Sequence, residues 1–172
     1  MTPPATYIAE ACRLHILLIL AASVAGKATA LEDFRKTIGE LFPVPWTWTR
    51  SAAFGVIGAE ALIALALLAG GAWARLGMAA AFALFAVFTV VILAALVQRR
   101  AVSCNCFGGG SHVISVYDLA RNAVLIGACG TYLLGAPTAG GLGAGVYLLL
   151  FGVAIILFLI STNLDDIALL LR

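Results

Sequence analysis

The sequence predicts an all-α protein, a polytopic transmembrane helical bundle of about five spans, or four if the last segment does not cross. A short interfacial helix is expected after the first span. Three observations lead there. Of 172 residues, 63% are hydrophobic and only 10% charged, where a soluble domain carries about 25% charge. Several apolar runs approach or exceed the ~20 residues that a helix needs to cross a hydrocarbon core. Irregular backbone and open sheet edges cannot face lipid, so such runs are expected to be helices. No two-domain split is visible, and residues 1–172 read as one integral membrane domain.

The first span is expected at about 7–28. It carries Cys12, Arg13 and His15 near its start and Lys27 at its end. No basic stretch precedes this run, so it reads as a retained span and not as a cleaved signal peptide. Leu31, Phe34, Ile38, Leu41 and Phe42 then recur near helical spacing with charges between them, the pattern of a short helix at a membrane surface. Pro43 and Pro45 interrupt it, and Trp46 and Trp48 suit interface anchors. The second span is expected at about 51–69, with Glu60 near its middle. Gly70-Gly71 makes a tight turn into a third at about 73–97. A loop from Ala101 to Ser111 leads to a fourth at about 113–134, which carries Asp118, Arg121 and Asn122 in its first turns and Cys129 deeper in. A Gly- and Pro-rich loop precedes the fifth, at about 144–160.

The net charge of +2 is too small to imply a nucleic-acid partner. Dinucleotide-binding, Walker, His-Glu-x-x-His and zinc-finger patterns are absent from the sequence. Lys27, Arg35, Lys36, Arg50, Arg99 and Arg100 lie near one face, with Arg13 and Arg75 near the other. By the positive-inside rule this puts the 101–111 loop in the cytoplasm.

Chemistry concentrates at Cys104-Asn105-Cys106-Phe107-Gly108. Two thiols one residue apart can close a small, strained and therefore labile disulfide, which suits exchange better than stapling. Arg99, Arg100 and His112 are placed to lower a thiol pKa, and Gly108 to Gly110 leave the sulfurs open to a partner. The competing readings are two inert loop cysteines, or a soft-metal site for copper(I) or mercury. A third alternative is a structural membrane subunit that holds a partner protein. Trp46, Trp48 and Phe107 are candidates to line a quinone site near the interface.

An acidic Glu60 in a span must face the bundle and find a partner. Arg121 is the expected one, with Lys27 or Asp118 in a wider network; the pair is read either as an interhelical clamp or as a proton-transfer group. Cys129 lies 16 positions after Val113, about 24 Å along a helix, at a depth that matches Cys12. A second thiol pair there would extend a relay across the membrane, weighed against two buried cysteines acting as small hydrophobes. Gly55, Gly58, Gly77, Gly127 and Gly145 permit close helix packing within a bundle or in a homo-oligomer.

Lys27 after the first span, Glu60 in the second, Cys104-Asn105-Cys106-Phe107-Gly108 after the third and Arg121-Asn122 in the fourth resemble the MauE family of methylamine utilisation, within the DoxX-like membrane proteins. The resemblance covers the chain to about residue 135. It implies a redox role for Cys104 and Cys106, with Glu60, Arg121, Asn122, Lys27, Arg99 and Arg100 in support. It also implies a thioredoxin-like partner, or a disulfide-bearing client on the extracytoplasmic side, opposite to the side the charge count favours.

Overall fold

The computed structural model describes residues 4–42, 45–98, 103–104, 112–135 and 142–164. Among them are six helices and one two-residue antiparallel pairing: α1 (Pro4–Thr29), α2 (Leu31–Leu41), α3 (Trp46–Ala69), α4 (Gly71–Val97), β1 (Ser103–Cys104), β2 (His112–Val113), α5 (Val116–Gly135) and α6 (Ala144–Thr162). The protein is a polytopic helical bundle, consistent with the plasma membrane. Among the described residues, α1, α3, α4 and α6 are long and apolar enough to cross a membrane. The fourth expected span, α5, is helical and packs along α1 and α4. Asp118, Arg121 and Asn122 in its first turns make it less apolar than the other four.

The bundle is built around α1, which packs against α3, α5 and α6, while α4 closes the ring by packing against α3 and α5. The core between them is Ile16, Ile19, Leu20, Leu67, Met78, Phe85 and Leu125. The outer faces carry exposed Leu62, Leu65, Val90 and Leu148, the reverse of a soluble surface and the surface that lipid would cover. Between α3 and α4 the chain reverses at Gly70 and Gly71, with φ of 76° and 55°. That backbone region is open to glycine at little cost.

Helices α3 and α2 each differ from expectation for a physical reason. Helix α3 begins at Trp46, five residues before the expected start. Pro45 is extended at its N-cap and lacks the N–H that a helix start leaves unpaired. Helix α2 has the expected amphipathic pattern, and its apolar side is seated on protein: Phe34 and Ile38 cluster with Ala53, Val56 and Ile57 of α3. Its charged side carries Arg35–Glu32 and Lys36–Asp33 ion pairs at 2.7 and 2.8 Å. The Asp33 carboxylate holds the Lys36 ammonium above its ordinary pKa. Trp46 is half exposed with the Arg35 guanidinium over its ring at 4.6 Å, and Trp48 is exposed.

Candidate functional site

Lys27 sits in the last turn of α1 with 1% exposure, and Glu60 on α3 has the same. Neither ion is stable alone in an apolar interior. Each is satisfied by the other: Lys27 Nζ donates to Glu60 Oε1 at 2.5 Å and to Ser23 Oγ at 2.5 Å. Ser23 Oγ in turn donates to the same carboxylate oxygen at 3.3 Å. Ser23 lies one turn before Lys27, so the hydroxyl and the amine share a face of α1. The ammonium is flanked by the rings of Phe34 and Phe88, at 5.4 and 5.6 Å from their centroids, a favourable electrostatic setting for a cation away from water.

The second polar group is at the start of α5. Ser115 precedes the helix and Asp118 stands three residues on. The Ser115 N–H donates to Asp118 Oδ2 at 2.9 Å, while Ser115 Oγ accepts from the Tyr117 N–H at 3.2 Å. This is a capping arrangement, in which a side chain and the backbone satisfy each other at a helix start. Asp118 Oδ1 also accepts from Arg121 Nη2 at 2.8 Å. The expected partnership of Glu60 with Arg121 is therefore corrected. The ion pairs seen are Glu60 with Lys27 and Arg121 with Asp118, and the buried clamp joins α1 to α3 instead of joining the second and fourth spans. The reason is distance along the chain: Asp118 lies one turn from Arg121 on the same helix, and the end of α1 brings Lys27 to Glu60.

Both groups border one cavity of about 210 Å³. Its walls come from α1 through α5 and include Leu20, Phe34, Ile38, Phe85, Phe88 and Leu125, with Ser23, Lys27, Glu60, Arg121 and Asn122 at its polar part. Glu60 Oε2 and Asn122 Nδ2 are fully buried and without a hydrogen-bond partner among the described residues. Trp46 and Trp48, expected to line a quinone site, do not border the cavity. The two residues are 53% and 69% exposed, and the Trp46 ring lies under the Arg35 guanidinium of α2.

Above this cavity the chain forms the short antiparallel pairing of β1 with β2. Its register sets Cys104 opposite His112 and Ser103 opposite Val113. β1 lies against α2, and Ile114, next after β2, borders the cavity. Cys106, Phe107, Arg99 and Arg100, and the side chains of Cys104 and His112, lie outside the described residues.

At the other end, Cys12 of α1 and Cys129 of α5 are free thiols on packed helices, near enough to interact electrostatically. α1 and α5 run antiparallel there, with Gly135 against Ala5 and Ala9. Arg13 pairs with Glu10 at 2.7 Å and donates to the Leu67 carbonyl in the last turn of α3 at 2.5 Å, a cation on helix-terminal carbonyls. His15 is buried and meets Ser161 of α6 at 3.4 Å, the helix-contact role. Ser23 and Ser115 were absent from the sequence-derived site; the spacing of Ser23 to Lys27 and the Ser-x-x-Asp pattern at 115–118 are the features that mark them.

Fold and site together define a multi-pass helical membrane protein with a buried ion pair and a polar-ended cavity beside a cysteine-bearing connection. The chain matches the family model described as methylamine utilisation protein MauE over residues 5–135. It belongs to that family, among the MauE/DoxX-like redox-associated membrane proteins. No curated protein and no solved structure gives a significant match to the chain.

Proposed function

We propose that this protein is a membrane thiol–disulfide oxidoreductase, with Cys104 and Cys106 cycling between dithiol and disulfide against a thioredoxin-like protein or a disulfide-bearing client. The observation that carries the reading is the family match, which spans residues 5–135 and so includes both cysteines. The backbone register that pairs Cys104 with His112 supports it. In the exchange, one thiolate attacks a sulfur of the partner disulfide and releases the other partner sulfur as a thiolate. The second cysteine then attacks the mixed disulfide, so two electrons pass and one disulfide replaces another. Arg99 and Arg100 supply the cationic flank. Lys27 and Glu60 act as positioning residues that clamp α1 to α3, with Arg121 and Asn122 of α5 bordering the same cavity.

The test is alkylation trapping in intact membranes of the wild type beside Cys104→Ser and Cys106→Ser. A reversible intramolecular disulfide in the wild type is expected, with one single-cysteine variant accumulating a mixed disulfide. Both thiols staying reduced at every redox poise, with no trapped partner, would overturn the reading.

A further inference from the structure

We propose that Cys12 and Cys129 form a second dithiol–disulfide site, which an incoming disulfide closes into a covalent staple between α1 and α5. The site lies toward the opposite end of α1 from Lys27, about 22 Å away at ~1.5 Å per residue. It does not depend on the thiol-exchange reading above. Three observations bring the two sulfurs together.

The first is the face each occupies. Ala5, Ala9, Cys12 and Ile16 recur at helical spacing along one side of α1, and Ala9 and Ile16 are wholly buried. On α5 the buried side includes Leu125, Cys129 and Tyr132. Ala9, Ile16, Leu125, Cys129 and Tyr132 belong to one packed cluster. The second is depth. The helices run antiparallel, with the Gly135 backbone against Ala5 and Ala9. Cys129 stands about 9 Å along α5 from that contact and Cys12 about 7 Å along α1, so both reach nearly the same level. The third is closeness. A Cβ on Gly135 would stand 3.4 Å from Ala9 Cβ, so small residues draw the two backbones together at this end. A disulfide needs Cβ atoms ~3.5–4.5 Å apart, and Cys12 is near enough to Cys129 to act on it electrostatically.

Charge selects a disulfide over a soft metal ion. Copper(I) between two thiolates carries a net negative charge, and Arg13, next to Cys12, is already matched by Glu10. An unmatched charge in this apolar cluster is costly, whereas a disulfide is neutral. The staple also has something to hold. Helix α5 is of spanning length but is not among the helices apolar enough to cross by composition. Its place depends on packing against α1 and α4.

Exposure orders the exchange, since Cys12 is partly exposed and Cys129 wholly buried. Cys12 Sγ attacks one sulfur of the incoming disulfide and releases the first partner thiol. Cys129 Sγ then attacks Cys12 Sγ and releases the second. The two cysteine protons pass to the leaving sulfurs, one S–S bond replaces another, and the incoming disulfide is reduced to two thiols.

The experiment uses the full chain in detergent carrying Cys104→Ser and Cys106→Ser, which leaves Cys12 and Cys129 as its cysteines. Because the other pair is gone, the outcome bears on this site alone, whatever becomes of the oxidoreductase reading. The probe is dithiodipyridine, an apolar disulfide. Non-reducing mass spectrometry is expected to show a peptide linking α1 to α5 with no pyridyl group retained. The thermal midpoint is expected to rise on oxidation and to return with dithiothreitol. Adding Cys12→Ser is expected to abolish both the link and the shift. The same linked peptide is expected in the oxidised wild type, which needs no variant. Pyridyl adducts retained without a linked peptide, a link that forms only in denaturant, chains joined to each other through Cys12, or a midpoint unmoved by oxidation would each overturn the proposal.

Discussion

Lys27 and Glu60 are the residues on which the interior depends most directly. Removing one partner strands a buried ion, which typically costs ~3–5 kcal/mol, whereas replacing both by apolar side chains of similar volume is often neutral or stabilising. Glu60→Ala or Lys27→Ala is therefore expected to lower stability by about 3–5 kcal/mol in detergent-denaturation titrations. Lys27→Met with Glu60→Leu is expected to recover most of that loss. A double variant as unstable as the singles would show that the pair is more than a clamp. At this scale the sequence was informative about which residues are unusual and less so about who meets whom. A carboxylate within an apolar run announces a partner, but Arg121 and Lys27 both satisfy that demand on paper. Only the three-dimensional course of α1 decides for Lys27.

Among the elements, the α3–α4 pair shows how one glycine sets a helix distance. A Cβ on Gly77 would stand 3.0 Å from Ala66 Cβ and 3.3 Å from the Ile63 carbonyl oxygen, tighter than side chains tolerate. Gly77→Val is expected to cost about 1–3 kcal/mol through overpacking, read as a lowered thermal midpoint. Gly55→Val, where an added Cβ meets nothing within 4 Å, is expected to leave the midpoint unchanged. Equal shifts in both would rule out close approach as the cause. All five small-residue positions looked alike in sequence, yet among Gly55, Gly58, Gly77, Gly127 and Gly145 only Gly77 is in such contact. Helix existence was legible because apolar runs of this length have few other solutions. Which face of a uniformly apolar helix turns inward was not, because hydrophobicity nearly all round leaves little periodic asymmetry to read. Helix α2 is the contrast: its apolar stripe is narrow, and Phe34, Thr37 and Ile38 are the residues it buries.

For the molecule as a whole, the order of spans and the turn at Gly70-Gly71 were readable from composition and from glycine's conformational range. The cavity was not, since it is assembled from five helices that are far apart in sequence. The neutral pairing of Lys27 with Glu60 and of Arg121 with Asp118 carries a consequence in electrical terms. A free elementary charge moved across a membrane exchanges ~2.3 kcal/mol with the field per 100 mV. Two pairs that shift as units move no net charge, so among the described residues these two offer no gating charge to the membrane voltage. Thiol exchange in proteoliposomes is accordingly expected to run at the same rate with a potassium diffusion potential imposed or collapsed by valinomycin. A rate that follows the voltage would mean that one of these pairs separates during turnover. On the proposed thiol-exchange reading, these two pairs would leave turnover insulated from the electrical state of the membrane and answering to the supply of thiols and oxidants.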